Sequence, residues 1–389
     1  MRTKILFIIG CLDSGGVAKS LVTLMNVIDK HKYDVHLLIL SAMQGPFVQY
    51  LPDDITIHRD ERIEGLVDGM AGLKPLVRKG HIGLAICSMY RMFLSIFDKA
   101  NAGLMLAKLM PRLNMGKFDT VVDYGGQHLL YYMIDKIQGR KKISYFHNDY
   151  EKWNYYYKVD KRYLNHVNKI VLVSETCKQS MEHYFPELRD KICVIENIFS
   201  PDLLQKQSLM EVPEASFFQD NFVLITVGYV CERKGFDFIV GAANLLKRRG
   251  VKFKWVLIGA YDKSSVMRIM EEKLDDDVLL YGIRSNPYPY MRMSKIFVHP
   301  ARFEGKPMVV CEAKVLCKPI VATCFSTVGD VLEDNVNASI CEMNAESLAY
   351  KIEELILDKV LREKYIDYLK KHQIDNSDEV LKLYDIFEK

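Results

Sequence analysis

The chain has 389 residues, 49% of them hydrophobic and 26% charged, an ordinary globular composition long enough for two domains. Its 53 basic and 50 acidic residues leave a net charge of only +3, so no nucleic-acid partner is expected. No run of about 20 apolar residues occurs, so no membrane-spanning helix is expected, and nine cysteines without a Cys-x-x-Cys pair exclude the common zinc and thiol redox motifs. The cysteines sit mostly in apolar runs and read as reduced core thiols of a cytoplasmic protein.

The first elements alternate between strand and helix. Lys4 to Gly10 reads as a buried parallel strand, too short for a signal peptide. The loop Cys11-Leu12-Asp13-Ser14-Gly15-Gly16 follows, then a helix from Val17 to Ile28. Strand, glycine turn and helix is a layout that cradles phosphate, although a plain tight turn has the same sequence. It lacks G-x-G-x-x-G, and Lys19-Ser20 follows Ala18 rather than Gly, which argues against a dehydrogenase or a P-loop kinase. Further strands are expected at 34–41, 55–58, 118–124 and 142–147, with His147 closing the last of them. A side chain at the carboxyl end of a parallel strand points toward the crevice where such folds bind ligands. The aromatic run Trp153, Tyr155, Tyr156, Tyr157 and Tyr163 reads as packing. A strand at 169–174, a helix at 176–184 and a strand at 191–197 complete the half, and Ile198 to Pro201 reads as the interdomain link.

One segment of this half is one-sided in charge. From 74 to 117 the basic residues are Lys74, Arg78, Lys79, Arg91, Lys99, Lys108, Arg112 and Lys117, against the single acid Asp98. Two readings stay open. One is a solvated helical face with a buried apolar side. The other is a basic amphipathic surface that docks on anionic lipid headgroups, at about 1 kcal/mol per basic residue.

The second half repeats the alternation. Strands are expected at 221–228, 254–259, 278–281 and 295–299, and helices at 264–273, after Asn286-Pro287, at 345–357 and through the polar run 362–389. Asp275-Asp276-Asp277 precedes a strand rather than ending one, reads as a solvated turn, and implies no metal. After Lys295 to His299 comes PARFEGKPMVVCEAKVLCKP, residues 300–319, around which the chain is organised. It breaks at Pro300, turns at Gly305 and starts a helix near Pro307, the residue pre-set for a first helical position. Glu304 falls in the loop and Glu312 more than a turn into the helix. A helix start attracts anions, Gly305 lets a ligand approach the backbone, and carboxylates accept hydroxyls, which together suit a nucleotide-sugar. The plainer alternative is an acid near a helix start and a glutamate on a helix surface.

Glu304 and Glu312, in E-G-x-P-x-x-x-x-E-A, resemble the Glu-x7-Glu motif of family-4 retaining glycosyltransferases (glycosyl transferases group 1). The resemblance extends along nearly the whole chain. It implies a GT-B fold: two doubly wound Rossmann-like domains facing across a cleft. The N-terminal, acceptor-binding domain would be 1–199, completed by a C-terminal helix at about 372–389, and 200–371 would bind the nucleotide-sugar. It implies catalytic roles for His147, Glu304 and Lys234. Donor contacts are implied for Gly15, Gly16, Gly228, Arg233, Lys234, Gly282, Arg284, Glu304, Gly305, Lys306, Met308, Val309 and Glu312. One departure is clear: the family has Arg after the glycine at 228, and this chain has Tyr229, with Arg233 placed to supply the missing charge.

The expected activity is therefore metal-independent transfer of a hexose from a UDP-sugar to a glycan or lipid-linked acceptor in surface polysaccharide synthesis, with no cofactor. The expected location is the cytoplasm, with peripheral contact at the inner face of the membrane through 74–117. A nucleotide-sugar 2-epimerase of the same fold, and a non-catalytic partner subunit signalled by Tyr229, are the competing readings.

Overall fold

The apolar runs become the central strands of two parallel sheets. The computed structural model describes residues 2–388 apart from 13–14, 44, 46, 153–155, 200 and 262. Asp13 and Ser14 of the glycine loop, Trp153 and Tyr155 of the aromatic run, and Ser200 of the link therefore lie outside the described residues. The chain divides into two units, Met1–Ile198 with Ser377–Lys389, and Phe199–Asn376.

In the first unit the strands are β1 (Thr3–Ile9), β2 (Tyr33–Ile39), β3 (Thr56–His58), β4 (Phe118–Asp123), β5 (Gly139–Phe146), β6 (Lys169–Leu172) and β7 (Ile192–Val194). They lie in the order β3-β2-β1-β4-β5-β6-β7, and every pairing is parallel. β1 is buried on both faces, which is why it reads as an unbroken apolar run. Its Ile5, Phe7 and Ile9 enter one core layer and its Leu6 and Ile8 the other, the two-residue period of a pleated strand. Helix α1 (Gly16–Val27) joins β1 to β2. Between β3 and β4 stands an insert of four helices: α2 (Glu61–Val67), α3 (Met70–Arg78), α4 (Ile82–Phe97) and α5 (Lys99–Leu109). α6 (His128–Lys136), α7 (Tyr157–Leu164) and α8 (Glu175–Tyr184) follow.

The second unit opens with α9 (Pro201–Ser208) and α10 (Ala215–Asp220). It continues through β8 (Val223–Val227), α11 (Phe236–Arg248), β9 (Lys254–Ile258), α12 (Lys263–Glu271), β10 (Val278–Gly282), α13 (Tyr288–Met293) and β11 (Ile296–His299). It closes with α14 (Met308–Val315), β12 (Ile320–Thr323), β13 (Ser339–Cys341), α15 (Ala345–Leu357) and α16 (Lys359–Lys371). The sheet order is β10-β9-β8-β11-β12-β13, again parallel. β12 and β13 were not expected from the sequence; they are only four and three residues long, and β13 alternates Ser-Ile-Cys. The polar run at the end is two helices, because the second, α17 (Glu379–Glu388), belongs to the first unit. There Val380, Leu383 and Phe387 share a core layer with Ile5, Phe7 and Tyr33.

Candidate functional site

Each sheet reverses its strand order once, between β1 and β4 in the first unit and between β8 and β11 in the second. Loops leaving the carboxyl ends of strands on either side of such a reversal diverge, and the crevice they leave is where open α/β sheets bind ligands. The residues singled out in the second half gather at one of these points.

Directly after β8 comes Gly228, which adopts φ 149°, and a short turn follows over Glu232–Lys234. Gly235 then takes a left-handed conformation, φ 73°, and starts α11. A Cβ at Gly235 would stand 1.9 Å from the Pro300 carbonyl oxygen, so only glycine lets this turn press against the loop after β11. The contact is reinforced by the Arg302 amide, which donates to the Arg233 carbonyl at 3.0 Å. The Arg302 guanidinium clasps both Asp237 oxygens at 2.7 and 2.6 Å. From the other side, Thr323 Oγ1 donates to the Ala301 carbonyl at 2.5 Å and Thr327 Oγ1 to that of Glu304 at 3.1 Å. The loop is thus held along its length. Gly235→Ala is expected to cost about 3 kcal/mol, from backbone strain and the steric clash together, in a urea unfolding experiment. A change below about 1 kcal/mol would contradict this packing.

That scaffold brings three side chains together. Lys234 Nζ forms an ion pair with Glu304 Oε1, and His299 Nε2 lies 3.1 Å from the same oxygen. Glu304 and His299 are both buried. Burial would raise the Glu304 carboxyl, but the Lys234 charge and the His299 contact outweigh it and hold the group at about 2. Burial pushes His299 down against the pull of Glu304, which favours the uncharged imidazole beside that oxygen. The site is a buried carboxylate with one cation paired to it and one imidazole beside it.

The first unit has its own cluster. Gly15 is the N-cap of α1, and a Cβ on Gly16 would meet nothing within 4 Å, so the backbone there is open to a close approach. In the first turns of α1, Ser20 Oγ donates to Asn197 Oδ1 at 2.7 Å and lies 2.8 Å from the Tyr124 hydroxyl. His147, directly after β5, packs against the Tyr124 ring at 4.7 Å and is stacked on Tyr145. Burial pushes its imidazole down to about 3, partly offset by the Asn197 side chain, so it is neutral at pH 7. A histidine depressed in the fold contributes stability that is fully present above its unfolded value, about 6.5, and is lost as pH falls through its folded value. The stability gap between wild type and His147→Gln should therefore shrink by about 1.4 kcal/mol per pH unit below pH 6, read from urea midpoints. A gap independent of pH would contradict a neutral, buried His147.

Residues 211–372 match the glycosyl transferases group 1 family. The match takes in 162 of the 389 residues, so similarity to that family is established for this segment alone. The matched segment contains Lys234, Glu304 and His299, and Glu304 lies in its stretch 300–319. Among similar proteins, an uncharacterized glycosyltransferase of Methanocaldococcus jannaschii is 26% identical over 184 residues, 46% of this chain and 45% of the relative. The capsular polysaccharide biosynthesis glycosyltransferase CapM of Staphylococcus aureus is 28% identical over 151 residues, 37% of this chain and 39% of the relative. The chain spans about half or less of the length of the curated relatives it matches. In fold it is similar to Anabaena Alr3699/HepE, solved with UDP and glucose, at a TM-score of 0.72 and 15% identity over the whole of both chains. The fold is GT-B.

Within the group 1 segment the remaining expected residues are placed unevenly. Gly305 and Met308 are buried, Lys306 and Val309 half-buried, and Glu312 is 1% exposed in the second turn of α14. Pro307 is the N-cap of α14 rather than its first helical residue. Arg233 lies over the Phe303 ring at 5.6 Å, beside the loop that carries Glu304. Tyr229, where the resemblance drawn from the sequence implied an arginine, is half exposed. A hollow of about 20 Å³ bounded by Gly228, Tyr229, Lys234, His299 and Pro300 has room for one water, so a nucleotide would lie outside it. Gly282 closes β10 with φ 69°. Arg284 has other partners: Nη1 donates to the Tyr281 carbonyl at 2.5 Å, and Nη2 donates to Glu214 Oε1 at 3.3 Å. The Tyr290 hydroxyl joins the same glutamate at 3.0 Å. In the acidic run, Asp277 pairs with Lys247 and Lys254, and no group of three or more His, Cys, Asp or Glu able to hold a metal occurs among the described residues.

Three participants escaped the sequence. His299 was read only as a strand end. Tyr124 and Asp123 close β4, and nothing in FDTVVDY marks them. Asp123 Oδ1 accepts from the Gly125 and Gly126 amides at 3.2 and 2.5 Å, and burial raises its carboxyl to about 7 against those bonds. The signal that could have found all three is position: each lies at the carboxyl end of a strand flanking an order reversal.

Proposed function

We propose that the chain transfers a hexose from a UDP-sugar to a glycan or lipid-linked acceptor in surface polysaccharide synthesis, with retention of configuration and without a metal or cofactor. The observation that carries the reading is the Lys234–Glu304–His299 group at the β8/β11 reversal, inside the group 1 segment. Lys234 is already paired with a carboxylate, so an incoming diphosphate competes with Glu304 for the same ammonium. Once the phosphate takes Lys234, Glu304 is left to accept hydroxyls of the donor sugar, with His299 holding its orientation. As the bond to the sugar breaks, charge grows on the leaving diphosphate, and a fixed cation there lowers the barrier. The backbone at Gly305 to Val309 and the Glu312 carboxylate complete the donor side. Gly228, Arg233, Gly282 and Arg284 line its approach. Gly15 and Gly16 are read as donor contacts and His147 as a catalytic residue. The capsule role of one relative and the UDP and glucose bound by one structural neighbour support the donor and product class.

The test is product analysis. Incubation with a UDP-sugar and glycan acceptors should give a glycoside whose anomeric configuration matches the donor. Inversion would remove the retaining assignment, and a free epimerised sugar would replace transfer with epimerisation. Tyr229 supports one competing reading, a non-catalytic partner subunit, because the family's arginine is missing there. That reading predicts a stable complex with a second protein and no donor turnover, and Tyr229→Arg would then not restore any.

A further inference from the structure

Helix α4 is built inside out. Its buried side carries Ala85 and Ser88, with Arg91 reaching the Leu66 carbonyl at 3.4 Å. Its outer side carries Ile82, Ile86, Met89, Phe93, Ile96 and Phe97, each 57–75% exposed. Their spacing follows the helical period, so they form one stripe along all 16 residues, about 24 Å. The Phe93 and Phe97 rings touch edge to face at 5.3 Å, extending the apolar surface instead of burying it. On α3, which packs against α4, Met70 and Val77 are exposed as well. A soluble surface rarely leaves so many large apolar groups side by side without a use for them.

The insert that carries the stripe is firmly built. A Cβ on Gly72 would stand 2.1 Å from the Gly65 carbonyl oxygen, so α2 and α3 cross backbone to backbone. α4 rests on α5, whose Ala102, Leu106 and Ala107 are buried. The stripe is therefore held outward by packing beneath it.

Charge selects the occupant. From Gly69 to Lys99 the one acid is Asp98, engaged as the N-cap of α5, while Lys74, Arg78 and Lys99 are exposed. A second copy meeting this face symmetrically would bring like charges together. An anionic surface would not. No helix among the described residues is long and apolar enough to cross a membrane, and α4 is shorter than the roughly 20 residues a span needs. An apolar stripe with a basic rim on a helix of this length lies in the plane of a bilayer interface.

We propose that the outer face of α4 docks the first unit on an anionic lipid bilayer, with the stripe among the upper acyl chains and Lys74, Arg78 and Lys99 against the headgroups. This does not rest on the sugar-transfer reading, since neither donor nor acceptor is involved. The test is co-sedimentation of the full chain, without substrates, with vesicles of phosphatidylcholine alone or mixed with phosphatidylglycerol. Wild type should sediment with the mixed vesicles. Phe93→Ser/Phe97→Ser should lower that partition about a hundredfold, with an unchanged urea midpoint. Lys74→Gln/Arg78→Gln should lower it about thirtyfold and leave partition into phosphatidylcholine alone unaffected. Should the first variant fold poorly, Ile86→Ser, at an equally exposed position, replaces it with a smaller loss. Wild type left in the supernatant with both vesicles would overturn the proposal. So would wild type that self-associates in sedimentation where Phe93→Ser/Phe97→Ser does not, because a second copy would then cover the stripe.

Discussion

Lys234→Ala is expected to lower turnover of the nucleotide-sugar donor by about 100- to 1000-fold, the usual cost of removing one fixed charge-stabilising group. The ammonium has two tasks. In the free protein it neutralises Glu304, a carboxylate 7% exposed and touched otherwise by His299. In the proposed reaction it stabilises the departing diphosphate. The tasks separate in a double variant. Lys234→Ala alone leaves Glu304 without its cation, so stability falls by about 3 kcal/mol and the carboxyl titrates higher. Lys234→Ala/Glu304→Gln removes the stranded charge, and stability should return to within about 1 kcal/mol of wild type. Turnover should stay low in both. Recovery of turnover with stability would show that the pair serves the fold alone.

The second large effect is on stability. Phe387→Ala is expected to destabilise the protein by about 3–5 kcal/mol, the range for emptying a buried aromatic site. Phe387 is 2% exposed and meets Tyr33 and Phe7 edge-on, with ring centroids at 5.5 and 6.5 Å. Tyr33 also donates to Glu388 Oε1 at 3.0 Å, and the Asp29 amide donates to the Tyr384 hydroxyl at 2.8 Å, so α17 is pinned along its length. Leu381 on the same helix is 55% exposed, and Leu381→Ala should change stability by less than about 0.5 kcal/mol. Equal urea midpoints for the two variants would mean that the last helix is not part of the first unit's core.

Much of the fold was legible because parallel strands buried on both faces leave continuous apolar runs. KILFII, FVLITV and KIFVH mark β1, β8 and β11 within two residues. β12 and β13 were missed, since Ile320–Thr323 and Ser339–Cys341 are too short for a period to show. At the site, Glu304 and Lys234 were named from motif spacing, and the structure pairs them. The partner that completes the pair, His299, carries no local signal: it takes its place only when the loop after β11 folds back over the strand end. Arg284 shows the converse. Its loop was identified, yet its guanidinium is engaged by Glu214, a residue 70 positions away that no local reading connects to it. α4 is the sharpest case. Helical periodicity reveals that a face is apolar but not which way it points, and the default of burying it fails here.

The most direct measurement is nucleotide release from UDP-, GDP- and ADP-sugars by wild type and Lys234→Ala, with thermal shift on the same samples. Anionic vesicles carrying a lipid-linked sugar would be included as one acceptor. A donor at about 100 times its dissociation constant should stabilise wild type by roughly 2.7 kcal/mol. The expected result is stabilisation by UDP-sugars, release of UDP by wild type, and loss of release in Lys234→Ala. Neither stabilisation nor release with any donor, in the presence of acceptors, would contradict a transferase site built on Lys234 and Glu304.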